Sequence, residues 1–290
     1  MRRHRRNGQA SSGQPTEDYG GRMEKTMKRR FLSALLCAVC LALALPFAGC
    51  GRNDSDLGEG LTRAEIPTPG ENTKNESEKN SMRILLTGDS ITDMYHDRKT
   101  DFGASSYGVS YPYQIQAELG TRYPRKYEVL NRGISGNRVV DLYARIKSDC
   151  WNLSPDVVSV LIGVNDVWHE IMGGNGVELD RYEKVYRAFI EDTQKALPGV
   201  KFMLLEPFVL HGTATDEHYQ EFLYVKEYAG VVRRLAEEYG AVFVPLQEAF
   251  DRAAEQDGAD WYLYDGVHPT VVGAKLIADE WLKAFREISG

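Results

Sequence analysis

Between residues 82 and 290, short apolar runs alternate with longer amphipathic stretches, and this alternation leaves few architectures open. The runs are Arg83–Thr87 (RILLT), Tyr127–Asn131 (YEVLN), Val157–Ile162 (VVSVLI), Phe202–Leu205 (FMLL) and Ala241–Val244 (AVFV). Each is too short for a helix and nearly continuous in apolar residues, which marks a strand buried on both faces. Between them the periodicity predicts helices over Tyr113–Leu119, ending at Gly120, and over Val139–Cys150. Further helices are predicted over Leu179–Leu197, stopped by Pro198-Gly199, over Glu217–Tyr239, ending at Gly240, and over Thr270–Ile288. Such alternation implies an α/β fold, a parallel sheet covered by helices on both faces. No internal repeat is present.

The first 81 residues follow different rules. A chain of 290 residues would ordinarily suggest two domains. Here Phe31 to Phe47 (FLSALLCAVCLALALPF) carries no charge and follows Lys28, Arg29 and Arg30. Phe47-Ala48-Gly49-Cys50 closes it with the small residues that a signal peptidase needs, and with a thiol able to take a lipid. This resembles a bacterial lipoprotein signal, with Phe47 where leucine is usual. An N-terminal anchor helix or ordinary secretion are the other readings of the same run, and all three put the body outside the cytoplasm. Residues 1–26 fit no part of a signal, whereas Met27 before Lys-Arg-Arg is a normal signal start. Residues 51–81 are polar, hold Pro67 and Pro69, and cannot bury a core, so they read as a tether. The expected organisation is an extension with signal over 1–49, a tether over 50–81 and one folded domain over 82–290.

Charge narrows the function classes. Residues 1–49 hold nine Lys/Arg against three Asp/Glu, and residues 50–290 hold 26 against 39. An acidic body is poorly suited to nucleic acid, which is gripped by neutralising phosphates. Membrane contact is expected through a lipid on Cys50. Three of the four cysteines, Cys37, Cys40 and Cys50, lie in or beside the apolar run, so Cys150 has no intrachain partner beyond it and no cysteine cluster offers a zinc site.

In a parallel α/β sheet the ligand sits outside the carboxyl ends of the strands. The residues there are Gly88-Asp89-Ser90, Arg132-Gly133-Ile134-Ser135-Gly136-Asn137, Gly163-Val164-Asn165-Asp166 and Glu206-Pro207, with Asp265-Gly266-Val267-His268-Pro269 before the last helix. Acyl transfer by a serine needs a hydroxyl, a base, a group that orients the base, and donors for the oxyanion. Ser90 offers the hydroxyl at a helix start. His268 offers the base, and Asp265 stands three residues before it. Gly136 offers an unobstructed amide and Asn165 a side-chain amide. Singly, each has a plain structural reading: an N-cap serine, an Asx turn, a solvated histidine. Together, in this order, they form a constellation.

These segments resemble the blocks of the SGNH (GDSL) hydrolase family of esterases and lipases. ILLTGDSIT is similar to the first block, VLNRGISGN to the second, IGVND to the third and DGVHP to the fifth. The resemblance implies a flavodoxin-like α/β/α sandwich of three layers on a five-stranded parallel sheet, and ester hydrolysis without cofactor or metal. It implies Ser90, Asp265 and His268 as catalytic residues, and Ser90, Gly136 and Asn165 as the oxyanion hole. Gly-x-Ser-x-Gly is absent, which separates the chain from α/β-hydrolases with a nucleophile elbow.

Other residues stand near these blocks. Asp89, Trp168 and His169 are candidates for the substrate pocket, with bracing of loops as the alternative for Asp89. Asp166 reads like Asp89, and Arg138 and the charged stretch from Asp93 to Asp101 read as a solvated loop or as a cleft wall. His211, Asp216, Glu217 and His218 have no compact metal spacing and read as a polar lid. The loops around the blocks are polar, with Tyr and Trp among charges, which suits a small-molecule or glycan ester and points to acetyl esters on carbohydrate. A lysophospholipid or short-chain lipid esterase is one alternative, and a carbohydrate-binding lipoprotein without chemistry is another.

Overall fold

A computed structural model describes residues 81–100 and 103–289. The expectations for residues 1–49, for Cys50 and for nearly all of the tether lie outside the described residues.

All five apolar runs are strands: β1 (Met82–Gly88), β2 (Tyr127–Gly133), β3 (Val157–Leu161), β4 (Lys201–Leu205) and β5 (Val242–Val244). They form one sheet in the order β2-β1-β3-β4-β5, and every neighbouring pair is parallel. The helices Tyr111–Arg122 and Val271–Ser289 pack together on one face, and Val139–Ala144, Leu179–Ala196 and Val225–Tyr239 on the other. This is the expected α/β/α sandwich. Burial on both faces explains why the runs are continuous: Ile84, Leu85, Leu86, Val157, Val158, Met203, Leu204 and Leu205 are all buried. Each such side chain contributes about 1.5–3 kcal/mol through burial. The one polar residue within β3, Ser159, accepts the indole N–H of buried Trp281 at 2.9 Å.

The order of the strands locates the cleft. The chain leaves β1 toward β2 on one side and later enters β3 on the other, so the crevice of the reversal lies above the ends of β1 and β3. Ser90 follows β1 directly and Asn165 opens the helix after β3.

Helix boundaries differ from expectation in instructive places. The helix expected to stop at Gly120 runs to Arg122, because Gly120 stays within the last turn rather than turning left-handed. The stretch expected as one helix over Val139–Cys150 is two, Val139–Ala144 and Ile146–Asp149, broken at Arg145. The expected Glu217–Tyr239 helix breaks into a short turn at Asp216–His218, one helical turn at Tyr219–Phe222 and a long helix at Val225–Tyr239. The segment after β3, read as a polar loop, is instead the helix Val164–Gly173. Asn165 and Asp166 are buried on it beside Val164 and Val167, so polar and apolar side chains share its inward face.

Candidate active site

At the carboxyl edge of the sheet three side chains from opposite ends of the chain meet. Ser90 Oγ lies 2.8 Å from Nε2 of His268, and His268 Nδ1 lies 2.7 Å from Oδ2 of Asp265. The other carboxylate oxygen of Asp265 accepts the backbone amides of Val267 (3.0 Å) and His268 (2.8 Å). Burial works to raise the Asp265 carboxyl, but the His268 ring and these two amides outweigh it and hold it below the ordinary range. An ionised carboxylate only accepts, so it fixes the Nδ1–H tautomer and leaves Nε2 free to take the Ser90 proton. The ring of Tyr264 stacks over His268 at 5.5 Å, and Trp168 leans toward it at 6.0 Å.

The oxyanion donors expected from the sequence surround the same point. Ser90, Gly136, Asn165 and His268 line one cleft of about 540 Å³. Gly136 has a φ of +81°, and a side chain there would meet no atom within 4 Å. Its amide and that of Ser90 donate to no other described group. Asn165 Nδ2 donates one proton to the carbonyl of Asn137 at 3.1 Å, which fixes the amide plane and leaves its second proton available.

Trp168 and His169, two of the pocket candidates, line the cleft. Trp168 is held edge-on by Phe222 at 5.5 Å. Asp89, the third pocket candidate, does not line it. It is fully buried beneath the nucleophile-side turn, where its Oδ1 caps that turn by accepting Ile91 N–H at 2.9 Å. Burial pushes its carboxyl up to about 7. Asp166 is likewise internal. It accepts the amide of Val139, and burial raises its carboxyl well above the usual range.

Three loop readings are corrected. The charged stretch after Ser90 is divided: Asp93 and His96 are buried and paired at 2.7 Å, Arg98 and Lys99 are exposed, and it is the uncharged Met94 and Tyr95 that line the cleft. Arg138 pairs with Asp141 and reaches the carbonyl of Asn175, and it does not line the cleft. The His211–His218 segment is not a lid. Gly212 and Ala214 back onto Asp265, and His211 pairs with Asp216 at 2.9 Å. Cys150 is buried, and burial pushes its thiol up to about 12. Met94, Tyr95, Met172 and Tyr264 also line the cleft and were not among the candidates. Tyr264 is findable from its place beside Asp265, whereas Met94, Tyr95 and Met172 depend on how the loop after Ser90 and the helix Val164–Gly173 are set.

A part-buried carboxylate, an imidazole and a hydroxyl in line, facing free amide donors at the edge of a parallel sheet, define a serine-type ester hydrolase. The chain belongs to the GDSL-like Lipase/Acylhydrolase family, whose model matches residues 86–276. It is 34% identical over 207 residues to an acetylxylan esterase of Geobacillus stearothermophilus, which covers 69% of this chain and 92% of that protein. An isoamyl acetate-hydrolyzing esterase of Saccharomyces cerevisiae is 26% identical over 222 residues, 69% of this chain and 84% of the yeast protein. The crystal structure of Axe2, an acetylxylan esterase from Geobacillus stearothermophilus, superposes with a TM-score of 0.63 at 33% identity, covering 71% of this chain and 95% of that one.

Proposed function

We propose that Ser90 is the nucleophile of an acyl-enzyme mechanism that removes acetyl groups from carbohydrate esters. The observation that carries the chemistry is the unbroken line Asp265–His268–Ser90 facing Gly136 and Asn165 across one cleft. His268 Nε2 takes the hydroxyl proton as Ser90 Oγ bonds to the ester carbonyl carbon. Asp265 stabilises the imidazolium, and the amides of Ser90, Gly136 and Asn165 hold the tetrahedral oxyanion. The imidazolium returns its proton to the departing alcohol. Water, deprotonated by the same imidazole, then attacks the acyl-enzyme and releases the acid.

Two observations support a sugar as the alcohol. The relative at 34% identity is an acetylxylan esterase. The mouth of the cleft carries Tyr95, Trp168 and Tyr264, rings suited to the flat faces of pyranoses. The test is release of acetate from acetylated xylooligosaccharides and from p-nitrophenyl acetate by the purified chain, beside Ser90→Ala. Activity abolished by the substitution supports the mechanism, whereas activity that survives it removes Ser90 from the role. A mute wild-type protein that still binds glycan would favour a binding protein without chemistry.

A second reading has its own observation. Met94 and exposed Met172 make part of the rim apolar, which suits a short-chain lipid ester. A p-nitrophenyl series from acetate to decanoate separates the two: a steep fall after butyrate favours the sugar ester, and a rise toward longer chains favours the lipid. We also propose, from residues 28–50 alone, that the chain is exported and carried on a lipid at Cys50. Incorporation of labelled palmitate that disappears in Cys50→Ser tests this.

A further inference from the structure

The break between the helices Val139–Ala144 and Ile146–Asp149 falls on Arg145, and the break turns that side chain down onto the sheet. Its side chain is only 14% exposed. One nitrogen, Nη2, reaches the carbonyl of Gly88 at 3.2 Å, two residues before Ser90. Nη1 donates to the carbonyl of Arg132 at 2.8 Å, at the end of β2, and to Asp149 Oδ2 at 2.8 Å. Nε donates to Asn137 Oδ1 at 2.8 Å. Asn137 adjoins Gly136, and its own carbonyl is the acceptor that orients Asn165.

A single planar cation therefore joins the strand that delivers Ser90, the strand that leads to Gly136, and the loop that aims Asn165. The fork of an arginine fixes several directions at once, which an ammonium on a flexible stem does not. Arg145 does not line the cleft, so it touches no reacting atom. The pair with Asp149 is local, four residues along the chain, and reaches none of the groups around Ser90. The contacts to Gly88, Arg132 and Asn137 are of a different kind: they span separate elements that must keep register for the oxyanion to meet its donors.

We propose that Arg145 is a positioning residue for ester hydrolysis, which fixes the separation between Ser90 and the Gly136 and Asn165 donors and so acts on the transition state. This inference rests on the reading of Ser90 as nucleophile and of Gly136 and Asn165 as oxyanion donors. A misplacement of about 1 Å can cost on the order of 10²-fold in rate, and a donor out of place weakens the transition state more than the bound ester.

The experiment measures kcat and KM on p-nitrophenyl acetate for the full chain, for Arg145→Lys and for Arg145→Ala, with Ser90→Ala in parallel. The expected result is a kcat lower by about 10–10²-fold in both arginine variants, with KM within about twofold. Added guanidinium ion raises kcat of the alanine variant several-fold and leaves the wild type unchanged. If the alanine variant does not fold, the lysine variant decides, since it keeps the charge and loses the fork. The proposal is overturned if kcat of Arg145→Lys matches the wild type, or if its loss merely follows the fraction unfolded in circular dichroism. A normal Arg145→Lys beside an inactive Ser90→Ala removes only this inference, whereas an active Ser90→Ala removes the reading beneath it.

Discussion

One carboxylate oxygen of Asp93 accepts both the backbone amide and the hydroxyl of Ser135, at 2.9 and 2.6 Å. Asp93 ends the single helical turn that starts at Ser90, and Ser135 precedes Gly136, so this contact ties the nucleophile turn to the oxyanion loop. The other oxygen holds His96 at 2.7 Å, and Arg98 closes the cluster. Burial works to raise the Asp93 carboxyl, but the hydrogen bonds from His96 and Ser135 prevail and hold it far below its ordinary value. Asp93→Asn keeps the shape but sets an amide N–H₂ against one of the donors. It should lower kcat on p-nitrophenyl acetate by about tenfold and stability by about 1.5–3 kcal/mol, since hydrogen bonds to a charged group are lost. The sign with pH follows from the lowered value: the stabilisation is present above the unfolded carboxylate range and fades as pH falls below it. Thermal midpoints from pH 3 to 7 should therefore slope less on the acid side in Asp93→Asn than in the wild type.

Asn165→Ala isolates one oxyanion donor. The side chain contributes a single proton to the cleft, the other being spent on Asn137. Removing such a donor typically costs about 3–4 kcal/mol of barrier, so kcat should fall by about 10²–10³-fold while KM moves little. Steady-state kinetics on p-nitrophenyl acetate decide it, and a kcat near the wild-type value would exclude Asn165 from the oxyanion hole.

Asp89 should leave its mark on stability rather than on substrate binding. Its Oδ2 is buried without a partner, and burial raises the carboxyl to about 7 against the opposing pull of the Ile91 amide. A carboxyl raised on folding favours the protonated form in the native state. Its contribution to stability is thus complete below about pH 4 and is lost as pH rises through about 7. Asp89→Asn mimics the protonated form and still offers an oxygen to Ile91. Its thermal midpoint should hold steadier than that of the wild type between pH 4 and 8, and identical slopes for the two proteins would refute the assignment.

The parts legible in the sequence are those whose physics is local or fully hydrophobic. The strands declared themselves because Ile84–Leu86, Val157–Leu161 and Phe202–Leu205 are buried on both sides of the sheet. Asp265 and His268 are readable because they stand three positions apart, close enough to pair without help from the fold. Asp93 and Arg145 were not, since their partners Ser135 and Gly88 lie 42 and 57 residues away and nothing in the spacing announces them. The helix at Val164–Gly173 is legible only in part: Val164, Val167, Trp168 and Ile171 form an apolar stripe, but it spans barely two turns and Asn165-Asp166 at its start has the composition of a turn.

Gly212 tests whether catalysis depends on what lies behind Asp265. A Cβ at this position would sit 2.3 Å from the carbonyl carbon of Asp265 and from the amide of Gly266, both backbone atoms that cannot rotate aside. Leu210 and Ala214 fasten the same loop by donating their amides to Gly266 and Asp265. Gly212→Ala must therefore displace the loop that carries Asp265. Overpacking of this kind costs about 1–3 kcal/mol of stability. A carboxylate moved by about 1 Å loosens the His268 tautomer and should lower kcat by on the order of 10²-fold. Gly199→Ala is the matched control: its φ of +88° disfavours a side chain, but no atom lies within 4 Å of the added methyl. That variant should lose stability alone. Purified side by side, the two proteins should have similar melting shifts and very different turnover on p-nitrophenyl acetate. Equal turnover in both would mean that Asp265 keeps its place without the backing of Gly212.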